Sequence, residues 1–104
     1  MATLTGDVTK GDLTGSGTQD TIATAGAGSN QETWSVTFRN RNGSSRTVTL
    51  YLNGTGSTDV FATVTIPAGG YTTVTLTVGP SDVLRAEASN ATSVAWFCTK
   101  GVLA

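Results

Sequence analysis

The sequence predicts an all-β fold: a single antiparallel β-sandwich, jelly-roll or immunoglobulin-like, with an extended N-terminal arm. Three observations lead there. From Thr33 onward apolar residues alternate with hydroxyl-bearing ones, the period of two that a strand with one dry and one wet face requires. Gly, Asn and Pro break that alternation at short intervals, as turns between short strands do. β-branched residues dominate each candidate window, which disfavours helix and suits a pleated sheet.

Residues 1–30 are Gly, Thr, Ala and Ser around isolated Leu4, Val8, Leu13 and Ile22. So few apolar side chains do not build a core alone. They are therefore read as an extended Gly/Thr-rich arm, with residues 31–104 as the sandwich domain. Weak strands are possible over 3–8 and 19–25. The Leu-Thr-Gly unit at Leu4 recurs at Leu13, as turns that reuse Gly and Thr produce.

Six strands follow. Trp34, Val36 and Phe38 define the dry face of the first, and Val48, Leu50 and Leu52 that of the second. Between them, Asn42-Gly43 tolerates positive φ and reads as a hairpin turn. Asn53-Gly54 closes the second strand. Val60, Ala62, Val64 and Ile66 share one side of the third, which Pro67 stops because proline donates no ladder hydrogen bond. Gly69-Gly70 turns the chain into a strand carrying Val74, Leu76 and Val78, ended by Gly79-Pro80. Leu84, Ala86 and Ala88, then Val94, Trp96 and Cys98, complete the set.

The opposite faces carry Thr37, Thr47, Thr49, Thr63, Thr65, Thr73, Thr75 and Thr77 with Tyr51, Phe61, Tyr71, Ala95 and Phe97. Threonine suits any solvated strand position. A face of threonine and aromatics with few ions also loses little hydration when a partner covers it. Charged residues are only 12% of the 104, and the formal charge is −1. Neither a basic excess for nucleic acid nor an acidic tail is present. Arg39, Arg41 and Arg46 flank one expected turn; they could grip an acidic partner or protect a strand edge.

Chemistry is sparse. The chain has no histidine and one cysteine, Cys98, so the usual general base, the commonest metal ligand and a thiol–imidazole pair are missing. Cys98, among apolar neighbours, is expected to pack as a small hydrophobe. The seven carboxylates show no paired spacing and read as turn residues or solubilisers. Asp12 and Asp20 lie among glycines but lack the ligand ladder of a calcium loop. No catalytic residue, cofactor site or metal site is expected. No apolar run approaches the length that spans a membrane, and the N-terminus lacks a charged leader before an apolar stretch, which points to a soluble chain folding in the cytoplasm where it is made.

At "LTGDVT", followed by "GSGTQDTIATA", the chain resembles a segment of bacteriophage fibre proteins. "TVTLYLNG", "TIPAGGYTTVTL" and "DVLRAEASNATSVAW" resemble small phage virion proteins of the sandwich type. The resemblance implies a capsid decoration (cement) protein in the virion: non-enzymatic, a homotrimer, bound to the major capsid protein or another virion protein, with no nucleic acid or membrane partner. On that reading Leu4, Val8, Leu13 and Ile22 anchor the arm on a partner, and Tyr51, Phe61, Tyr71 and Phe97 supply subunit contacts. Alternatives are a fibre or tail-tip module touching the host and a carbohydrate-binding module. The latter needs exposed stacking aromatics, whereas Trp34 and Trp96 fall on the expected dry face.

Overall fold

A computed structural model describes residues 4–15, 17–28, 31–89 and 94–103, the side chains of 4–7, 102 and 103 excepted. Eight strands succeed one another: β1 (Leu4–Asp12), β2 (Asp20–Thr24), β3 (Glu32–Asn40), β4 (Arg46–Leu52), β5 (Val60–Ile66), β6 (Tyr71–Val78), β7 (Val83–Ala88) and β8 (Val94–Leu103). They form two four-stranded sheets, ordered β1-β8-β3-β6 and β2-β7-β4-β5, with all pairings antiparallel. Strand 1 lies beside 8, 2 beside 7, 3 beside 6 and 4 beside 5, as if one long hairpin had been rolled into two layers. That connectivity is a jelly roll, which decides between the two sandwich types.

The described part of residues 1–30 does not stand apart as an arm. β1 pairs with β8 from Leu4↔Leu103 to Asp12↔Ala95, and β2 pairs with β7. Leu13 is 0% exposed and Ile22 4%, both within the core beside Ala23 and Ala25, and Leu13 N donates to Val94 O at 2.9 Å. The composition argument fails for a physical reason: a segment too poor in apolar residues to build a core can still complete one whose other walls it does not supply.

The core between the sheets is filled by Trp34, Phe38, Leu50, Ile66 and Leu84, with Val36, Val48, Val94 and Cys98. Its seal is uneven. Along the β5–β6 flank the inward-facing Ala62, Val64, Val74 and Leu76, expected to be dry, are only partly buried.

Only β4 and β5 are consecutive strands of one sheet; the other connections cross between layers. Asn40 to Ser45 is therefore a crossover and not the hairpin expected at Asn42-Gly43. Its geometry is fixed by Asn40, wholly buried, whose Nδ2 donates to Ser44 O (2.7 Å) and Ile66 O (3.1 Å) while Oδ1 accepts from Asn42 N (2.9 Å). One side chain thus ties the end of β3 to the end of β5 in the opposite sheet. Gly69, at φ 70°, supplies the left-handed residue that the Pro67–Gly70 turn needs.

Candidate interaction surface

Strand register places the outer face of the first sheet in rows. Val8, Thr99, Ser35 and Thr75 form one row; Lys10, Phe97, Thr37 and Thr73 the next; Asp12, Ala95, Arg39 and Tyr71 the third. Neighbouring strands lie about 4.8 Å apart, and rows are separated by about 6.8 Å along each strand. Across β3 and β6 the hydroxyls pair with one another: Ser35 Oγ with Thr75 Oγ1 and Thr37 Oγ1 with Thr73 Oγ1 at 2.9 Å, and Thr33 Oγ1 with Thr77 Oγ1 at 3.4 Å. A hydroxyl already partnered in this way loses less when a neighbour displaces its water than an unpartnered one does.

Towards the loop end the face becomes aromatic and basic. Tyr71 is 73% exposed, and Phe97 is also exposed. Arg39 faces solvent between Ala95 and Tyr71. Arg41 reaches back to Asp12, Nη2 to Oδ1 at 2.7 Å, with both groups largely in water, so the pair adds little stability. A shallow, open cleft runs between Lys10, Asp12, Arg41, Ala95 and Phe97. Three cations against one carboxylate make this corner positive in a chain of net charge −1.

The expected contact residues thus divide. Val8, Tyr71, Phe97, Arg39 and Arg41 share the outer face of the first sheet. Phe61 is exposed on β5, at the edge of the second sheet. Arg46 sits half-buried on β4, apart from the other two arginines, with Nη1 donating to Ser45 O. The side chain of Leu4 lies outside the described residues. Leu13 and Ile22 are core residues, as described above, and so are not open to a partner.

Tyr51 is also withdrawn from the surface, at 8% exposure. Its hydroxyl donates to Glu87 Oε1 at 2.9 Å, and the same carboxylate accepts from Gly17 N (2.7 Å) and Gln19 Nε2 (2.9 Å). The Gly17 hydrogen bond, with those from Tyr51 and Gln19, outweighs burial and holds Glu87 below its ordinary value. Residues 17–19 are thereby pinned to the outer side of the second sheet, leaving the first sheet the more open face. Trp34 is fully buried and Trp96 partly so, so neither is a free sugar platform.

Glu32 was missed as well. Read as a solubiliser, it is buried and accepts from Gly26 N (2.7 Å) and Trp34 Nε1 (3.0 Å), with Lys100 Nζ at 3.4 Å. Lys100 also donates to Thr24 O at 2.9 Å and lies 5.5 Å from the Trp34 ring centre. Burial alone would raise the Glu32 carboxyl, but these donors and the Lys100 charge together bring it below its ordinary value. The cluster fastens the end of β2 to β3 and β8. Alternating Glu32 and Trp34 on the dry face was the signal in the sequence.

Among the described residues no group of three or more His, Cys, Asp or Glu side chains could hold a metal ion, and no helix is long and apolar enough to cross a membrane.

No protein-family model matches the chain, and no curated protein matches it in sequence. Solved structures do. One is a chain from the disulfide-linked pili of Bacillus endospore appendages: 20% identity, TM-score 0.63, covering 99% of this chain and 89% of that one. Another is a chain from the acid-stable capsid of Helicobacter pylori bacteriophage KHP30: 14% identity, TM-score 0.62, covering 100% and 94%. A CBM35 module from Cellvibrio japonicus Abf62, at 16% identity and TM-score 0.40 over 93% and 92%, is too remote to bear on the fold. What the pilus and capsid chains share with this one is the two-layered β architecture.

Proposed function

We propose that this chain is a non-enzymatic virion structural protein of the decoration type, seated on the capsid exterior through the outer face of its first sheet. The observation that carries the reading is the self-paired hydroxyl ladder ending in exposed Tyr71, Phe97 and Arg39. Such a surface is dehydrated at small cost and is anchored by the residue types that interfaces favour. The likeness to phage virion proteins in the sequence and a fold shared with a phage capsid chain support the setting. The partner proposed is the major capsid protein, and an acidic patch on it would complement Lys10, Arg39 and Arg41. A trimer, implied by the resemblance, is not selected by any feature of this face.

The test is cosedimentation of the purified chain with capsids of the phage that encodes it. Saturable binding is expected, weakened at least about tenfold by Arg39→Glu with Tyr71→Ala, while the melting temperature of the variant stays within a few degrees of the parent. A chain that remains in the supernatant, or binds equally well without these two side chains, defeats the proposal.

A further inference from the structure

We infer that the open β5–β6 flank is a self-association edge, on which a second copy of this chain pairs about a two-fold axis, β6 against β6 and β5 against β5. The inference uses the strand edge and not the sheet face, so it stands or falls separately from capsid binding.

Both flanks of the sandwich end in edge strands, but they differ in chemistry. On one flank β1 carries Lys10 and Asp12, and β2 carries Asp20. Each flank has one bulge, at Ile22 on β2 and at Phe61 on β5, so charge, a means by which sheet edges resist pairing, is what separates them. On the other flank, VFATVTI and YTTVTLTV contain no charge, no proline and no glycine. Among the described residues neither has a second neighbour in its sheet, which leaves one side of each backbone without a strand partner there. Ala62, Val64, Val74 and Leu76 face inward there and remain partly exposed, with exposed Val60 and Phe61 beside them. Uncharged strands with free backbone and a wet apolar seam are a pairing surface.

The inward-facing side chains select the occupant. The β1 edge would set exposed Thr9 and Gly11 against this seam, leaving Val74 and Leu76 poorly covered, and would bring Lys10 and Asp12 beside the outer threonines. The same edge of another copy sets an uncharged strand against an uncharged strand and buries both seams. A two-fold axis normal to the sheets keeps each layer in register with its counterpart and makes β6 antiparallel to its mate, the more stable pairing. Inward side chains must meet inward side chains, so the axis passes through a residue. Greatest overlap of Tyr71–Val78 puts it at Val74 or Thr75.

The size of the contact sets its strength. Eight residues extend about 26 Å, and the shortest dimension of the molecule is 17 Å. The contact then covers about 440 Å² per copy, or about 900 Å² in all, just under the roughly 1,000 Å² that specific interfaces clear and of the size of a weak, transient one. A reversible dimer in the micromolar range is therefore expected.

Light scattering across about 10 to about 500 µM should show the mass rising from 10.6 kDa towards twice that value. Val74→Lys should hold the chain monomeric. Should that variant not fold, single-cysteine forms decide. Equivalent residues at the axis lie about 4.5 to 5.5 Å apart between Cα atoms, within disulfide reach, so Val74→Cys or Thr75→Cys should yield a covalent homodimer under mild oxidation. Cys98 is fully buried and does not compete. A monomer at every concentration, a trimer, or cross-linking of Thr75→Cys only when mixed with Lys10→Cys would each overturn the inference.

Discussion

Replacing Leu13 by alanine separates a detached N-terminal arm from one built into the core. Leu13 is fully enclosed, and the change removes most of its side chain from a site where Ile22, Ala23 and Ala25 belong to the same core cluster. Loss of the transfer free energy and the cavity left behind together cost roughly 2–5 kcal/mol for such a change, and about 3 kcal/mol is a central figure. A domain of this size has a total stability on the order of 5–15 kcal/mol, so a large share is lost. The melting temperature should fall by about 10 to 20 °C. Urea unfolding, followed through Trp34 and Trp96 fluorescence, measures the change in midpoint at constant slope. Val8→Ala is the control, because Val8 is 67% exposed on the same segment and should cost less than about 0.5 kcal/mol. If Leu13→Ala costs no more than this control, the segment does not pack in the core and its assignment to the sandwich is wrong.

Two further predictions follow from buried polar groups. Asn40→Ala strands the Ser44 and Ile66 carbonyls and the Asn42 amide, and should destabilise by about 2–4 kcal/mol, seen as an earlier urea midpoint. Glu32→Gln leaves Lys100 beside a neutral group and should cost about 2–3 kcal/mol at neutral pH. Because the folded chain holds the Glu32 carboxyl below its ordinary 4.5, its contribution is complete above that value and is lost as pH falls through the lower, folded-state value. The stability gap between parent and variant should accordingly narrow on acidification below about 4.5; a gap that is flat with pH would show that the ionised carboxylate contributes nothing.

Much of the fold is legible in the residues themselves. Alternation in "TWSVTFRN", "RTVTLYL" and "YTTVTLTV" gives strand existence, limits and facing, because side chains in a strand point to opposite sides with a period of two wherever the strand sits. The exposed Tyr71 and Phe97 were found that way. Tyr51 shares that facing but is covered by residues 17–19, which reach Glu87 from far along the chain, and no local pattern reports such a visitor. Asn42-Gly43 punctuates a crossover as well as a hairpin, since both need a break in the ladder.

The sequence by itself determined an all-β sandwich, its six strand segments from Thr33 onward and the threonine-lined surfaces. Only the tertiary structure decided which strands pair, that residues 4–12 and 20–24 join the sheets, that Glu32 and Asn40 are interior clamps, and that Ala62, Val64, Val74 and Leu76 stay partly exposed along the β5–β6 flank. The physical reason is that pleat and turn are set by neighbours in the chain, whereas partner, register and edge are set by segments dozens of residues away.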